Sequence, residues 1–220
     1  MSKPTRTPDI PVASTRDRMV AGAADLLRRR GVAATSLREV VKHTQTPRGS
    51  LAHHFPEGKA QLLEEAVAYS RRRVTRQLEQ ALAGQDAASG LRVFVRQWCQ
   101  MLESTRFEAG CPVMAVAIER SGEDAEAEAM SGLPELARAA FDEWADLIGA
   151  ALRRDGVPRA QARALGLLVV ATFEGGIAMA RAARSAQPLE EVARQLEPIL
   201  RAAIAGRRSG AASRTRRLRQ

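Results

Sequence analysis

Residues 35–59 read TSLREVVKHTQTPRGSLAHHFPEGK, and the way this stretch divides decides the fold. Ser36 followed three residues later by Glu39 is a helix start, in which a hydroxyl and a carboxylate serve free N–H groups. Leu37, Val40 and Val41 give that helix an apolar face to about His43. Thr46-Pro47 then opens another helix over about 47–54: Thr can cap, and Pro in the first turn gives up only an N–H that had no partner. Two short helices separated by Thr44–Thr46 have the dimensions of a helix-turn-helix. In that arrangement the second helix enters the major groove and offers its N-terminal residues to base edges. Arg48, in its first turn, can bond bidentately to guanine. Gly49 lets a backbone come close, Ser50, His53 and His54 are donors able to reach phosphates, and Leu51 and Phe55 turn back to the core. Lys59 starts the next helix, where an ammonium and free N–H groups could clamp a phosphate. Short helix pairs also occur as plain packing units, so the spacing leaves a purely structural reading open. A metal site is not expected, because the adjacent His53 and His54 do not share a helix face and only Glu57 is an acidic neighbour.

Outward from this stretch every periodic segment reads as helix, and no sustained apolar alternation or hairpin dipeptide suggests a strand. The expected fold is all-α. Residues 1–13 hold three prolines and no periodicity and read as a loose arm. Ser14 to Asp17 resembles a capping box, and the helix it opens ends in Arg28-Arg29-Arg30 before Gly31, cations and glycine both suiting a C-terminus. A long amphipathic helix spans about 59–82, with Leu62, Ala66, Val74, Leu78 and Leu82 as its buried stripe. Further helices are expected at about 88–104, 112–121, 124–154 (broken near Gly132 and Pro134), 158–184 and 188–205. The tail 206–220, dense in Arg and poor in apolar residues, reads as disordered.

The 220 residues are enough to bury a sizeable core, and the net charge is +9. Of 34 cations 31 are Arg, and their placement is uneven. Residues 1–60 carry 11 cations and five anions, residues 61–205 carry 17 and 20, and residues 206–220 carry six and none. A polyanion-binding end on a near-neutral body is implied. The longest uncharged apolar runs, 109–118 and 164–173, are ten residues each, about half of the roughly 20 that a spanning helix needs. No signal-peptide pattern is visible, and two cysteines, Cys99 and Cys111, make no disulfide framework, so a cytoplasmic protein without membrane partners is expected. No nucleophile–base pair, metal cluster or phosphate loop appears, so neither an enzyme nor a cofactor is expected.

The stretch 35–67, TSLREVVKHTQTPRGSLAHHFPEGKAQLLEEAV, resembles the DNA-binding region of the tetracycline-repressor (TetR) family of bacterial regulators. FEAGCPVMAVAIE at 107–119 is similar to the LmrA/YxaF-like branch. The resemblance covers about residues 14–205. It implies a three-helix DNA-binding domain over 14–60 and a larger helical effector-binding and dimerisation domain over 61–205. It further implies base contacts from Arg48 and Gly49, and phosphate contacts from Thr35, Ser36, Ser50, His53, His54 and Lys59, with Thr46 counted among the DNA-facing residues. Two positions depart from the family pattern. Ala52 stands where a backbone-touching Tyr is usual, and Gln45 where the turn usually has Gly, which costs about 1 kcal/mol if that position needs a left-handed backbone.

Six of the eight aromatics follow residue 90, and Phe94/Trp98 and Phe141/Trp144 can each share a helix face. Core packing alone would account for them. The resemblance implies instead a pocket for a small apolar ligand, with Trp98, Cys99, Leu102, Phe107, Cys111, Met114, Ile118, Phe141, Trp144 and Phe173 as wall. Glu174, alone in an apolar stretch, is either a surface residue or a polar anchor for a ligand. The last two helices carry Leu165, Leu168, Val169, Thr172, Gly176 and Ile177, then Leu189, Val192, Leu196, Ile199 and Leu200. That surface suits a homodimer interface, while an internal core must take part of it. The expectation is a dimeric regulator, a repressor that binds double-stranded operator DNA at a near-palindrome and is released by an apolar effector. The alternative is an architectural, non-specific DNA-binding protein that relies on the basic ends.

Overall fold

A computed structural model describes residues 14–119 and 130–217, with side chains to residue 206. The N-terminal arm and the part of the expected 124–154 helix before 130 lie outside the described residues. Those described are all-α, without strands. Nine helices follow in order: α1 (Thr15–Arg30), α2 (Leu37–Thr44), α3 (Ser50–His54), α4 (Lys59–Leu82), α5 (Ala87–Ser104), α6 (Pro112–Ile118), α7 (Leu133–Arg154), α8 (Arg159–Ala183) and α9 (Gln187–Arg217).

Local chemistry fixes the first two helices where the sequence indicates. The Ser14 hydroxyl accepts from the Asp17 N–H at 3.1 Å, and Asp17 accepts back from the Ser14 N–H at 3.2 Å. The Ser36 hydroxyl accepts from the Glu39 N–H at 3.2 Å and opens α2. Gln45 closes α2 with φ 52° and ψ 38°, the left-handed region, so this side chain carries the strain that glycine would avoid, about 1–2 kcal/mol. Met19, Ala23, Leu26 and Leu27 of α1, Val40 of α2, Phe55, and Leu62 and Leu63 of α4 make a buried N-terminal core. α1 and α2 cross closely: a Cβ on Gly22 would lie 2.1 Å from the Thr44 methyl.

α4 is shared, packing on α1 at one end and on α5 and α7 along its length. Its last carbonyl and that of Gln85 in the following turn are served by Arg154 of α7, whose Nη2 donates to Leu82 O at 3.0 Å and Gln85 O at 2.9 Å. α8 lies against α7 on one side and α9 on the other. By length and composition α8 is the one helix among the described residues apolar enough to cross a membrane. Counting uncharged runs missed this, because Glu174 interrupts the run. Its inner face packs on α7 and α9, whereas the opposite face is open.

Three boundaries differ from expectation. The helix after Pro47 is five residues long, with Arg48 and Gly49 in the turn ahead of it; Ser50 N–H donates to Pro47 O at 3.3 Å, a tight turn that delays the helix. α6 stops at Ile118, short of 121, for a reason given below. α9 runs to Arg217 where a disordered tail from 206 is expected; Ala and Arg are strong helix formers and extend a helix already nucleated by packing.

Candidate nucleic-acid interface and ligand cavity

The α2–α3 unit is held from behind. Phe55 is buried, Leu51 packs against the core, and Arg16 of α1 stands over the Phe55 ring at 5.4 Å while pairing with Glu65 of α4 at 2.6 Å. His43 Nε2 lies 3.0 Å from Asp25, tying α2 to α1. Burial works against the Asp25 carboxylate, but the guanidiniums of Arg28 and Arg29 outweigh it and hold its pKa below the ordinary range.

With its back fixed, the outer side presents Pro47, Arg48, Gly49, Ala52 and His53 to solvent. Among the described residues the Arg48 side chain has no hydrogen-bond or ion-pair partner. A Cβ on Gly49 would meet nothing within 4 Å, and its φ of −68° suits any residue, so the fold itself does not require glycine there. The Ser50 hydroxyl donates to Pro47 O at 2.7 Å. The His53 and His54 rings are tilted against each other by 58°, with centroids 5.2 Å apart. Lys59 opens α4, and Ser36 caps α2, both half-buried on the same unit. Thr35 and Thr46 are different. Both are buried, Thr35 donating to Gly31 O at 2.7 Å and Thr46 paired with the Thr44 hydroxyl at 2.8 Å. Their hydroxyls serve the fold, and Thr46 does not cap α3.

In the C-terminal half a cavity of about 330 Å³, open to solvent on one side, is lined by α4, α5, α7, α8 and α9. Trp98, Trp144, Phe173 and Glu174 line it, together with Val74, Leu78, Leu91, Phe94, Ile148, Val169, Leu189, Val192, Leu196 and Leu200. Cys99, Leu102, Phe107, Cys111, Met114, Ile118 and Phe141 do not line it. Ile118 is 72% exposed, because α6 packs on α1 and α7 and turns this residue outward. Five residues read as dimer surface, Val169, Leu189, Val192, Leu196 and Leu200, line this cavity. The missed lining from α4 belongs to the Val74–Leu78 stripe, which is legible as buried but not as facing a void.

Glu174 is 4% exposed. Burial in these apolar surroundings pushes its carboxyl up to about 7, against a hydrogen bond from the Cys111 thiol that pulls the other way. Among the described residues its Oε2 has no partner, and neither has Trp98 Nε1. Rings of Phe94, Trp98 and Phe173 contact one another at 5.2–6.3 Å between centroids. Among the described residues no group of three or more His, Cys, Asp or Glu could hold a metal ion.

Polar contacts join the cavity-bearing half to α1. Glu119, just past α6, accepts from the backbone N–H groups of Val32 at 2.5 Å and Ala33 at 2.6 Å. Gly31, with φ 79°, leaves room for that carboxylate; a Cβ there would lie 2.7 Å from Glu119 Oε2. Gly110 N–H donates to Arg28 O at 2.8 Å, and Arg181 of α8 donates to Glu108 O at 2.9 Å.

The outer face of α8 carries Leu167 and Met179, each 60% exposed, and Leu168, with Ile199 exposed on α9. Thr172 is half-buried on the same side, and a Cβ on Gly175 would meet nothing within 4 Å. Gly176 and Ile177 instead point inward, Gly176 against Leu189. Leu167 and Met179 are absent from the residues read as interface, although the spacing Leu168, Thr172, Gly175, Met179 traces one helical face.

Comparison with known proteins follows the same division. Residues 20–66 match the family described as bacterial regulatory proteins, tetR family, and residues 87–195 match the transcriptional regulator LmrA/YxaF-like C-terminal domain. An uncharacterized HTH-type transcriptional regulator of Mycobacterium tuberculosis is 40% identical over 189 residues, covering 86% of this chain and 95% of its own length. LmrA of Bacillus subtilis is 28% identical over 188 residues, covering 85% and 97%. A TetR transcriptional regulator from Chloroflexus aurantiacus superposes with a TM-score of 0.68 at 31% identity, over 84% of this chain and 92% of that one.

Proposed function

The chain belongs to the TetR family of bacterial regulators, with a C-terminal domain of the LmrA/YxaF-like type, and from that premise we propose a dimeric repressor released from a near-palindromic operator by a small, largely apolar effector. That it is a DNA-binding transcriptional regulator, and not an enzyme, follows from the family; the repressor's contacts and switch are inferred from its own residues.

The observation that carries the reading is the pair Arg48–Gly49: an unpartnered guanidinium beside a glycine that the fold does not need, both exposed on a unit braced by Phe55. Arg48 reads a base edge, and Gly49 lets the DNA approach. Ser50, His53, His54, Lys59 and Ser36 hold phosphates around them. Two copies joined through α8 and α9 present two such units to two half-sites.

Release is a matter of linkage: an effector weakens DNA binding by as much as it prefers the arrangement that does not fit the operator. The chain offers a physical route. Glu174 at the cavity receives the thiol of Cys111, which caps α6, and the far end of α6 leads to Glu119 on the loop between α1 and α2.

The test begins with a duplex selected by the protein from a random pool. Arg48→Ala is expected to lose about 1–3 kcal/mol of preference for that duplex over random competitor. Equal losses on both would mean that Arg48 supplies only charge, as in a non-specific DNA-binding protein.

A further inference from the structure

Arg181 stands near the C-terminal end of α8 and reaches across to the reading head. Its Nη2 donates to Glu108 O at 2.9 Å and to Arg29 O, in the last turn of α1, at 3.4 Å. Its buried Nε has no partner among the described residues, so the grip rests on Nη2. Gly110 makes room for the guanidinium: a Cβ there would lie 2.8 Å from Arg181 Cδ and 2.9 Å from Nη1. The φ of Gly110 is outside the left-handed region, so this close approach, and not the backbone, requires the glycine. The loop is clamped on its other side as well. Glu108 pairs with Arg29 at 3.1 Å, and Gly110 N–H donates to Arg28 O at 2.8 Å. Just ahead, Arg106 and Phe107 hold left-handed φ values of 53° and 61°. Residues other than glycine keep such values only where surrounding contacts fix them.

A cap on α1 does not account for Arg181. That helix is already closed by the Gly31 N–H on Leu27 O at 3.0 Å, and Arg28, Arg29 and Arg30 supply cations in its last turn. What Arg181 adds is a link between α8 and α1. Met179, two residues before it and about 3 Å along the helix axis, is 60% exposed on the face of the proposed two-fold contact. We propose that Arg181 is a positioning residue for DNA recognition: it fixes each reading head relative to α8, and so sets the half-site spacing that a pair of heads accepts. This rests on the dimeric reading above. One more base pair between half-sites moves one of them by about 3.4 Å and turns it by about 35°, more than two fixed heads can follow. Both carbonyls are served from one nitrogen, so a lysine ammonium can stand in for the guanidinium, whereas a methionine cannot.

The test sets the duplex selected by the protein beside versions lengthened or shortened by one base pair between the half-sites, and beside a single half-site. The wild type is expected to prefer the selected spacing at least about tenfold, because a second head that cannot reach its half-site adds nothing. In Arg181→Met that preference should fall to within about threefold, with affinity for the single half-site changed by less than about threefold and the dimer unchanged in sedimentation. Gly110→Ala, whose added methyl takes the space of the guanidinium, should act in the same way, and Arg181→Lys should retain the preference. An Arg181→Met protein that still selects the spacing overturns the proposal. So does an equal loss on every duplex, the single half-site included, or a preference lost as fully in Arg181→Lys. A wild type that sediments as a monomer overturns the dimeric reading and the proposal with it, whereas a wild-type dimer with equal affinity for all three spacings overturns the proposal alone.

Discussion

Glu174 holds a carboxyl where an amide of the same shape would leave the fold more stable at neutral pH. Its folded value of about 7 lies above the ordinary 4.5, because burial penalises the anion. The sign follows from proton counting. Between those two values the folded protein binds more protons at this site than the unfolded chain, so stability falls as pH rises and the loss is complete above about 7. The full difference corresponds to about 3 kcal/mol. Denaturation midpoints measured from pH 4.5 to 8 for the wild type and Glu174→Gln should therefore diverge, the variant gaining on the wild type as pH rises. Parallel profiles would mean that the carboxyl is solvated in solution. This residue was half legible in the sequence. A lone acid in an apolar run stands out, but surface and anchor could not be told apart until the helical phase of Val170, Phe173 and Ile177 put its side of α8 inward. Gln45 was fully legible by contrast, since a turn that usually holds glycine exposes its left-handed geometry through the residue that replaces it.

Among the elements α6 shows where sequence reading stops. Pro112 announces its start, as Pro does in a first helical turn, but nothing in the local sequence ends it at Ile118. Its end is tertiary: the Glu119 carboxylate leaves the helix direction to accept the N–H groups of Val32 and Ala33, more than 80 residues away in the chain. The same contact explains why Met114 and Ile118 do not reach the cavity, since α6 is held on α1. Helix existence, starts and apolar faces were legible from caps and periodicity, because those are set within a few residues. The cavity wall was not, because it depends on how five helices splay. Under the switch proposed above, Glu119 is the joint between the cavity-bearing half and the reading head. Removing it leaves two backbone donors without their acceptor, at a cost of about 1–3 kcal/mol. Glu119→Ala is expected to lower stability by that amount and to speed amide exchange at Val32 and Ala33. It should also reduce the change in DNA affinity that a bound ligand causes. Full ligand response with faster exchange would assign Glu119 to stability alone.

At the scale of the whole molecule, the two faces of α8 do different work, and this settles which residue tests assembly. Leu196 belongs to the apolar pattern of α9, yet it lines the cavity, so a charge there would disturb ligand binding and packing together. Leu167 is 60% exposed on the face that also bears Leu168, Gly175 and Met179, clear of the cavity wall. This apolar strip is the surface that the proposed two-fold contact would cover. The charge distribution gives the strip its consequence. The net positive charge sits at the two ends of the chain and the body carries a small net negative charge, so under the dimeric reading proposed above two basic reading heads act on one duplex. Leu167→Glu is therefore expected to sediment as a monomer with unchanged helical circular dichroism. Its affinity for the two-half-site duplex should fall by on the order of a hundredfold, because the second head is no longer tethered to the first. Affinity for a single half-site should change by less than about threefold, since Leu167 is far from the reading surface. An unchanged dimer would move the interface elsewhere, and a monomer that kept full affinity for the selected duplex would show that one reading head is enough.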